Sequence, residues 1–181
     1  MKEKVLLHSC CGPCSTAVIE RLKADYDVTV FYFNPNIHPL EEYERRKIEQ
    51  QKVCEILDVP YIEGDYNPDE FFAFGEPMAD EPEGGKRCRE CFYLRMSKTA
   101  ALAQEQGFDL FDTTLSVSPH KNYDVISEVG RMIENEYSVR YLGGNYKKQD
   151  GYKRSIDLSK EYGLYRQNYC GCVYSNWNLK K

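Results

Sequence analysis

The sequence lacks any apolar run that approaches the roughly 18 residues needed to cross a membrane. It also lacks a secretory signal, since Met-Lys-Glu-Lys is followed by only five strand-like residues before the chain turns polar. At 181 residues the chain is too short for two ordinary domains, although it is long enough to bury one core. We therefore expect a single domain over residues 1–181, located in the cytoplasm and without a membrane partner.

An excess of positive charge is missing as well. The formal net charge of -5 argues against a broad, non-specific nucleic-acid binder, although it allows local basic patches. Fifteen tyrosines and eight phenylalanines offer stacking surfaces for bases. The sequence has a few short basic groups, and each is interpreted as solvated helix surface. Together they would contact a folded RNA at a few points. The groups are Arg45-Arg46-Lys47, Lys86-Arg87 with Arg89, Lys147-Lys148 and Lys153-Arg154.

Cysteine, in contrast, is plentiful. The eight positions, seven of them in three tight clusters, are Cys10, Cys11, Cys14, Cys54, Cys88, Cys91, Cys170 and Cys172. A disulfide scaffold needs an oxidising compartment and serves mostly very small domains. In a reducing compartment, clustered cysteines more often bind metal or carry out redox chemistry. We interpret the clusters in that way, and Cys54, among apolar helix neighbours, as a core residue.

Strand-like and helix-like segments alternate along the chain. Strands are predicted at 4–8, 27–33, 61–62, 109–115 and 139–142. Helices are predicted at 16–22, 39–57, 88–106, 122–136 and 153–162. The alternation predicts an α/β fold with a mostly parallel sheet flanked by helices. Residues 66–86, with their polar run of Gly, Pro and Glu, are predicted to form an inserted loop or lid, and residues 165–181 a C-terminal tail.

The first cysteine cluster, Cys10-Cys11-Gly-Pro-Cys14, lies between the first strand and the first helix. Ligands of open α/β sheets bind at the carboxyl edge of the strands, and the free N–H groups at a helix start favour a thiolate. The pattern predicts a Cys-rich metal site at this edge. Two alternatives are a turn that merely needs small residues and a thioredoxin-like Cys11/Cys14 pair, which the extra thiol fits poorly.

The second cluster, Cys88-Arg-Glu-Cys91, also opens a predicted helix. A two-residue spacer lets two thiolates face one metal or cluster. Together the two clusters supply four or five thiol ligands, enough for a tetrahedral zinc ion or a [4Fe–4S] cluster. The spacing alone leaves that choice open.

The third cluster is Cys170-Gly-Cys172 in the tail. A disulfide across one intervening glycine is strained, and strained disulfides are easily reduced and therefore redox-active. Near the metal site, such a pair would transfer two electrons. The alternative is that both thiols are further metal ligands.

Three histidines follow predicted strands. His8 ends the first strand, His38 follows the second and His120 follows the fourth. Their convergence at one sheet edge predicts substrate contacts or proton donors, and a structural hydrogen-bonding role is the alternative for each.

Taken in order, five motifs resemble those of the epoxyqueuosine reductases of the QueH family. The resemblance covers about residues 4–177 and shows no departure in the cysteine motifs. The motifs are His8-Ser-Cys-Cys-Gly-Pro-Cys14, Asn34-Pro-Asn-Ile-His-Pro39, Arg87-Cys-Arg-Glu-Cys91, Thr113-Thr-Leu-Ser-Val-Ser-Pro-His-Lys121 and Asn168-Tyr-Cys-Gly-Cys-Val-Tyr-Ser175.

The resemblance implies a cobalamin-independent enzyme that reduces the epoxide of epoxyqueuosine in the wobble position of a tRNA anticodon to queuosine, the last step of that pathway. It implies a fold similar to the adenine nucleotide α-hydrolases (HUP-like). The electron donor is unidentified. The implied [4Fe–4S] ligands are Cys10, Cys11, Cys88 and Cys91, and the implied redox-active pair is Cys170 and Cys172.

The resemblance also implies a second, mononuclear iron beside the cluster, for which Cys14 and Asp112 are candidate ligands. From the chemistry of epoxide reduction, His8 or His120 would protonate the leaving oxygen. The wobble nucleotide must be splayed out to reach the site, and aromatic stacking is the expected means.

Two other classes of protein remain as alternatives. The first is a zinc-bearing or ATP-using tRNA enzyme of the same superfamily. An ATP pyrophosphatase would carry a Ser-Gly-Gly-x-Asp-Ser loop after the first strand, where this chain has Ser9-Cys-Cys-Gly-Pro-Cys-Ser15. A zinc-stabilised RNA-binding module would leave the Cys170 and Cys172 pair unexplained.

Overall fold

The computed structural model describes residues 1–175, so residues 176–181 of the predicted tail lie outside the described part. The strands are β1 (Glu3–His8), β2 (Tyr26–Tyr32), β3 (Tyr61–Glu63), β4 (Leu110–Thr113) and β5 (Arg140–Tyr141). They form one sheet in the order β3-β2-β1-β4-β5, and every neighbouring pair is parallel. The predicted α/β fold with a parallel sheet is confirmed.

The helices are α1 (Gly12–Leu22), α2 (Leu40–Ile56), α3 (Asp69–Gly75), α4 (Lys86–Gln106), α5 (Tyr123–Glu136) and α6 (Gly151–Glu161). Helix α4 ends where Gly107 adopts a φ of 76°, the left-handed conformation that glycine takes at a helix end.

Three elements differ from the sequence prediction. Helix α1 was predicted from residue 16, but it begins at Gly12 and has proline in its first turn. The predicted loop 66–86 contains helix α3, because Phe71 turns inward and is only 1% exposed. The fourth strand was predicted to reach residue 115, but it stops at Thr113 and a single 3₁₀ turn follows at Leu115–Val117.

The sheet is covered on both faces, as expected for parallel strands. Along β1, Leu6 packs on the side of α4 and α5, whereas Val5 and Leu7 pack on the side of α1 and α2. No helix in the described part of the chain combines the length and apolar character that a membrane span requires.

The strand order reverses at β1, which pairs with β2 on one side and with β4 on the other. The carboxyl ends of β1 and β4 are in register, with His8 opposite Thr113. This reversal is the place in open α/β sheets where a crevice forms for a ligand. The first cysteine cluster follows β1 directly, so the fold places it in that crevice.

Candidate metal centre

Three thiols meet at the start of α1. The Sγ atoms of Cys10, Cys11 and Cys14 lie within 4.8 Å of one another, and within residues 1–175 no other group of three or more Cys, His, Asp or Glu side chains comes that close. Cys11 is the residue before the first turn of α1, in an extended conformation. A Cβ atom at Gly12 would lie 2.9 Å from the carbonyl oxygen of Glu49 in α2, so only glycine lets the two helices pack this closely.

The three thiols interact through their protons. Hydrogen bonds from Cys11 and Cys14 hold the pKa of Cys10 well below its usual value. Burial raises the pKa of Cys11. The hydrogen bond with Cys10 raises the pKa of Cys14 to about 12. Cys10 is therefore the most acidic thiol of the group, and thiolate is the form that binds metal.

The second cluster lies at the start of α4. Cys88 accepts a hydrogen bond from the backbone N–H of Gly84 at 3.2 Å. Cys91, one turn further, is buried and packs with Phe71 and Cys172. Burial raises the pKa of both thiols, that of Cys91 to about 12. Both also interact electrostatically with the two tail cysteines, so the start of α4 faces the tail.

The tail turn is fixed by a buried arginine. Arg46 of α2 is 1% exposed, and its guanidinium donates to the carbonyl oxygens of Cys170 at 3.0 Å and Tyr169 at 2.9 Å. Gly171 has a φ of 120°, and a Cβ atom there would lie 3.0 Å from the same guanidinium. The interpretation of Arg46 as solvated surface is therefore wrong, because the tail covers it. Arg87, from another of the basic groups, is likewise buried.

Cys170 and Cys172 are both free thiols, and no disulfide joins them. The disulfide expected from their spacing is thus absent from the structure. Cys172 is buried, and its Sγ donates to the Oγ of Ser175 at 3.5 Å. The predicted position of Cys54 in the core is confirmed, since this thiol is 3% exposed.

Two cations face these thiols, the buried Arg95 and the partly buried Lys121. Within residues 1–175, Arg95 and Lys121 have no carboxylate oxygen within 4.0 Å. Burial lowers the pKa of each, but the combined effect of nearby cysteine side chains is larger, and both pKa values lie above their usual range. Those cysteines are Cys91, Cys170 and Cys10 for the arginine, and Cys170, Cys10 and Cys14 for the lysine.

The guanidinium of Arg95 also has unused donors. Its Nε donates to the carbonyl oxygen of Cys91 at 3.3 Å, whereas Nη1 and Nη2 have no hydrogen-bond partner in the described part of the chain. A buried cation without an anion is costly. A metal or iron–sulfur group held by several thiolates is anionic and accepts hydrogen bonds through sulfur, so these residues fit such a group.

A cavity of about 480 Å³ opens in front of the thiols. Cys10, Cys14 and Cys170 line it, and so do His120 and Lys121 from the segment after β4. Two thiols of the triad, one thiol of the tail pair and a cationic side chain thus share one space, as expected from the carboxyl-edge position.

The structure separates the three histidines. His8 is fully buried, with Nδ1 3.0 Å from Thr113 Oγ1 and Nε2 3.1 Å from both Phe33 O and Asn34 Oδ1. Because the last two atoms accept, Nε2 carries the proton, and burial lowers the pKa of His8 to about 4. His8 does not line the cavity.

His120, in contrast, is exposed and lines the cavity. His38 lies elsewhere in the site: its carbonyl oxygen accepts from the hydroxyl of Tyr169 at 2.8 Å, and its ring packs edge-on against Phe72.

Asp112, a candidate ligand for a second iron, is also placed away from the cavity. Its carboxylate accepts from the hydroxyl of Tyr146 and from the backbone N–H groups of Thr113, at 2.8 Å, and Gly144, at 3.2 Å. These contacts hold the chain after β5 to the end of β4. The carboxylate therefore serves the fold at this position.

Two cations beside the thiols, Arg95 and Lys121, were not among the functional residues predicted from the sequence. A signal for Arg95 was present, since it follows Cys91 by four residues and so lies on the same face of a helix one turn further on. Lys121 ends the Ser-Pro-His-Lys motif, in which only the neighbouring His120 was predicted to be functional.

The parallel sheet and the thiols at its crevice define an α/β protein with a cysteine-based metal centre. A family model described as "Epoxyqueuosine reductase QueH" matches residues 5–178. The chain belongs to this family.

Individual relatives agree with the family match. The chain is 45% identical over 181 residues to an epoxyqueuosine reductase QueH of Streptococcus pyogenes, covering 97% of this chain and 71% of that protein. It is 38% identical over 174 residues to the protein of the same name from Thermotoga maritima, covering 94% of this chain and 89% of the relative.

Solved structures with a similar fold are more distant in sequence. The U34-tRNA thiolase NcsA of Methanococcus maripaludis, solved with its [4Fe-4S] cluster, aligns with a TM-score of 0.59 at 14% identity, over 99% of this chain and 63% of that one. A predicted subunit of a tRNA methyltransferase from Methanocaldococcus jannaschii aligns with a TM-score of 0.58 at 14% identity, over 89% of this chain and 75% of that one. At this identity the likeness concerns the fold.

Proposed function

We propose that this protein reduces the epoxide of epoxyqueuosine in the wobble position of a tRNA anticodon and so forms queuosine. Family membership supports this activity. The observation that carries it in the structure is the meeting of thiols from two distant segments at one cavity. Beside them lie the buried Arg95 and the partly buried Lys121, which have no carboxylate partner in the described residues.

Within this proposal, Cys10, Cys11, Cys88 and Cys91 hold a [4Fe–4S] cluster. The close approach of the first two thiols and the unused donors of Arg95 support the assignment. When bound, such a cluster supplies single electrons and a Lewis-acidic metal. A second, mononuclear iron beside it is part of the proposal, with the cavity-lining thiol of Cys14 as its candidate ligand.

The Cys170 and Cys172 pair is proposed as the two-electron source. Removing an epoxide oxygen as water breaks two C–O bonds, forms a C=C bond and consumes two electrons and two protons. Oxidation of two thiols to one disulfide supplies those electrons and protons, so the reaction balances. An electron donor that is still unidentified then reduces the disulfide. The free thiols and the position of Cys170 at the cavity support this role.

His120 is the better placed of the two histidines proposed as the proton donor, because its side chain lines the cavity. His8 donates through Nε2 to protein oxygens and is held neutral by burial, as its pKa of about 4 indicates. We propose that His120 protonates the leaving oxygen and that His8 keeps β1, β4 and the chain after β2 in register.

The tRNA is proposed to enter through the same cavity. Tyr152 of α6 and Arg166 both line it, and the guanidinium lies 5.9 Å from the centre of the tyrosine ring. An aromatic ring beside a cation is a suitable surface on which to stack a splayed-out base. The proposal treats residues 1–181 as one cytoplasmic domain with residues 165–181 as its tail. Residues 66–86 are proposed to act as a lid, and the position of Glu83 at the cavity supports this role.

The first test is to measure iron, acid-labile sulfide and zinc per chain on protein purified without oxygen, followed by an assay on tRNA that contains epoxyqueuosine. The proposal expects about four sulfides with four or more irons, as in a cubane cluster, and conversion of the tRNA to queuosine. One zinc ion without sulfide would refute the reductase mechanism and favour a zinc-stabilised RNA-binding protein.

A further inference from the structure

We propose that Arg95 is a positioning residue for the bound cluster, in which its two terminal nitrogens donate hydrogen bonds to sulfur and its charge favours the reduced state. The inference rests on the proposed function only in requiring an iron–sulfur cluster. It does not depend on which substrate is reduced.

Arg95 lies on α4 one turn after Cys91 and is 1% exposed. Its Nε is used by the carbonyl oxygen of Cys91, which fixes the plane of the guanidinium. Nη1 and Nη2 have no partner among residues 1–175. Leaving a buried donor without an acceptor is unfavourable, and more so when the donor is charged, so an acceptor outside the described residues is indicated.

The surroundings identify the chemistry of that acceptor. The groups that interact most strongly with Arg95 are the thiols of Cys91, Cys170 and Cys10, which come from three separate segments. No carboxylate of residues 1–175 lies within 4.0 Å of its guanidinium. The missing acceptor is therefore an anion that the thiols themselves hold, and a planar fork of donors suits two sulfur atoms of one cluster.

Another buried arginine of the same helix gives the contrast. Arg87 donates through Nη1 to the carbonyl oxygens of Met78, at 3.0 Å, and Glu81, at 2.7 Å, and its guanidinium stacks on Tyr174 at 4.6 Å. Its Nη1 thus has protein partners and supports the segment before α4, whereas its Nε has none in the described residues. Arg95 is equally buried, but its terminal nitrogens face the thiols without a partner.

A hydrogen bond to cluster sulfur and a nearby positive charge both stabilise the reduced, more negative cluster. Removal of the guanidinium should therefore lower the reduction potential. Arg95→Met removes the charge and the donors but keeps an unbranched apolar chain. Arg95→Lys keeps the charge but lacks the fork of donors.

The experiment compares the cluster-loaded wild type with both variants, prepared without oxygen, by a redox titration followed by electron paramagnetic resonance. In Arg95→Met we expect the equilibrium constant for reduction to fall at least about tenfold, which is about 59 mV for one electron. The reduction potential of Arg95→Lys should lie between those of the wild type and Arg95→Met. If only Arg95→Lys retains iron and sulfide, the loss in Arg95→Met supports the proposal and the potential is measured on the lysine variant.

The matched control is Arg131→Gln, which removes the same charge from α5, where the side chain contacts the carbonyl oxygen of Tyr141. This variant should keep the wild-type potential. The inference would be overturned if Arg95→Met kept the wild-type reduction potential and lowered only the midpoint of thermal unfolding. That result would mean that Arg95 stabilises the fold and does not act on the cluster. A wild type that binds no cluster would overturn it as well. A cluster-loaded wild type that leaves epoxyqueuosine tRNA unchanged would refute the proposed function and leave this inference standing.

Discussion

Two buried polar regions lie next to each other at the carboxyl edge of the sheet, and they differ in how their polar atoms are used. In the first, the Asp112 network, Asp112 accepts from Tyr146, Thr113 and Gly144. Ser116 closes the network by donating to the carbonyl oxygen of Gly144 and accepting from the N–H of Tyr146, both at 3.0 Å. The carboxylate and this hydroxyl are both paired within the protein.

The second region, the thiol centre, is open. It combines seven cysteines, all except Cys54, with Arg95 and Lys121, whose charges have no carboxylate partner in the described residues. A network whose groups are all paired fixes the fold, whereas unpaired buried groups indicate a partner that the chain itself does not supply. Changes in the thiol centre should therefore remove cofactor and activity, and changes in the Asp112 network should affect stability.

The largest expected effect is that of Cys88→Ser. The variant should lose cluster iron, acid-labile sulfide and reductase activity together, because one of the proposed thiolate ligands is gone. Metal analysis and the tRNA assay on the same preparation check this. Cys54→Ser is the matched control: it alters a thiol of the core and should keep full iron content. Full iron content in Cys88→Ser would contradict the ligand assignment.

Cys172→Ser sharpens the comparison within the thiol centre. We expect multiple turnover to fall to background while iron and sulfide stay at the wild-type level, since a single thiol cannot form the disulfide that balances epoxide reduction. Cys170→Ser should behave in the same way. Loss of iron from either variant would instead make the tail thiols metal ligands, which is the alternative that their spacing left open.

An intermediate effect is expected for Arg46→Gln. Its guanidinium pairs with the carboxylate of Glu42 at 2.8 Å and holds the carbonyl oxygens of Tyr169 and Cys170. Breaking a buried pair of this kind costs about 3–5 kcal/mol. Urea unfolding should show this loss, and turnover should fall because the tail turn is released. Arg154→Gln, which breaks the exposed pair with Glu20, should leave both quantities unchanged.

The smallest effect should follow from Asp112→Asn. Burial raises the pKa of Asp112 from 3.8 to about 6, so the folded protein favours the neutral carboxyl. Its contribution to stability is present below the unfolded pKa and is lost as the pH rises through about 6. Where the folded and unfolded pKa values differ by one, the free energy of unfolding changes by about 1.4 kcal/mol.

The asparagine cannot ionise, so the stability difference between wild type and Asp112→Asn should shrink from about pH 5 to about pH 7. Urea unfolding of the cluster-loaded protein at both pH values measures it, with iron content unchanged. A difference that grows with pH would contradict the raised pKa, and loss of iron would connect Asp112 to the metal after all.

The sheet and the meeting of the cysteines could be predicted from the sequence because both follow from local patterns. Alternating strands and helices force a parallel sheet, and parallel strands bring their carboxyl ends to one edge. The short apolar segment with Phe71 was harder to place, since a polar run of Gly, Pro and Glu follows it and obscures the helix it forms.

The buried arginines could not be predicted with the same ease. Tyr43, Arg46, Gln50 and Val53 are spaced three or four residues apart and are all buried, so they form one inward-facing stripe of α2. In the sequence, however, Arg46 stands between two other basic residues and resembles solvated surface. Its acceptors are carbonyl oxygens 123 and 124 residues away, and no local pattern shows such a partner.

The hydrogen bond from Gln167 Nε2 to the thiol of Cys11 spans 156 residues of chain. Closing so long a loop is entropically unfavourable until the sheet between its ends has formed. During synthesis the first cysteines leave the ribosome long before the tail does. The thiol centre therefore closes only after the segment that carries Gln167 has been synthesised, whereas the four proposed cluster ligands precede that segment in the chain.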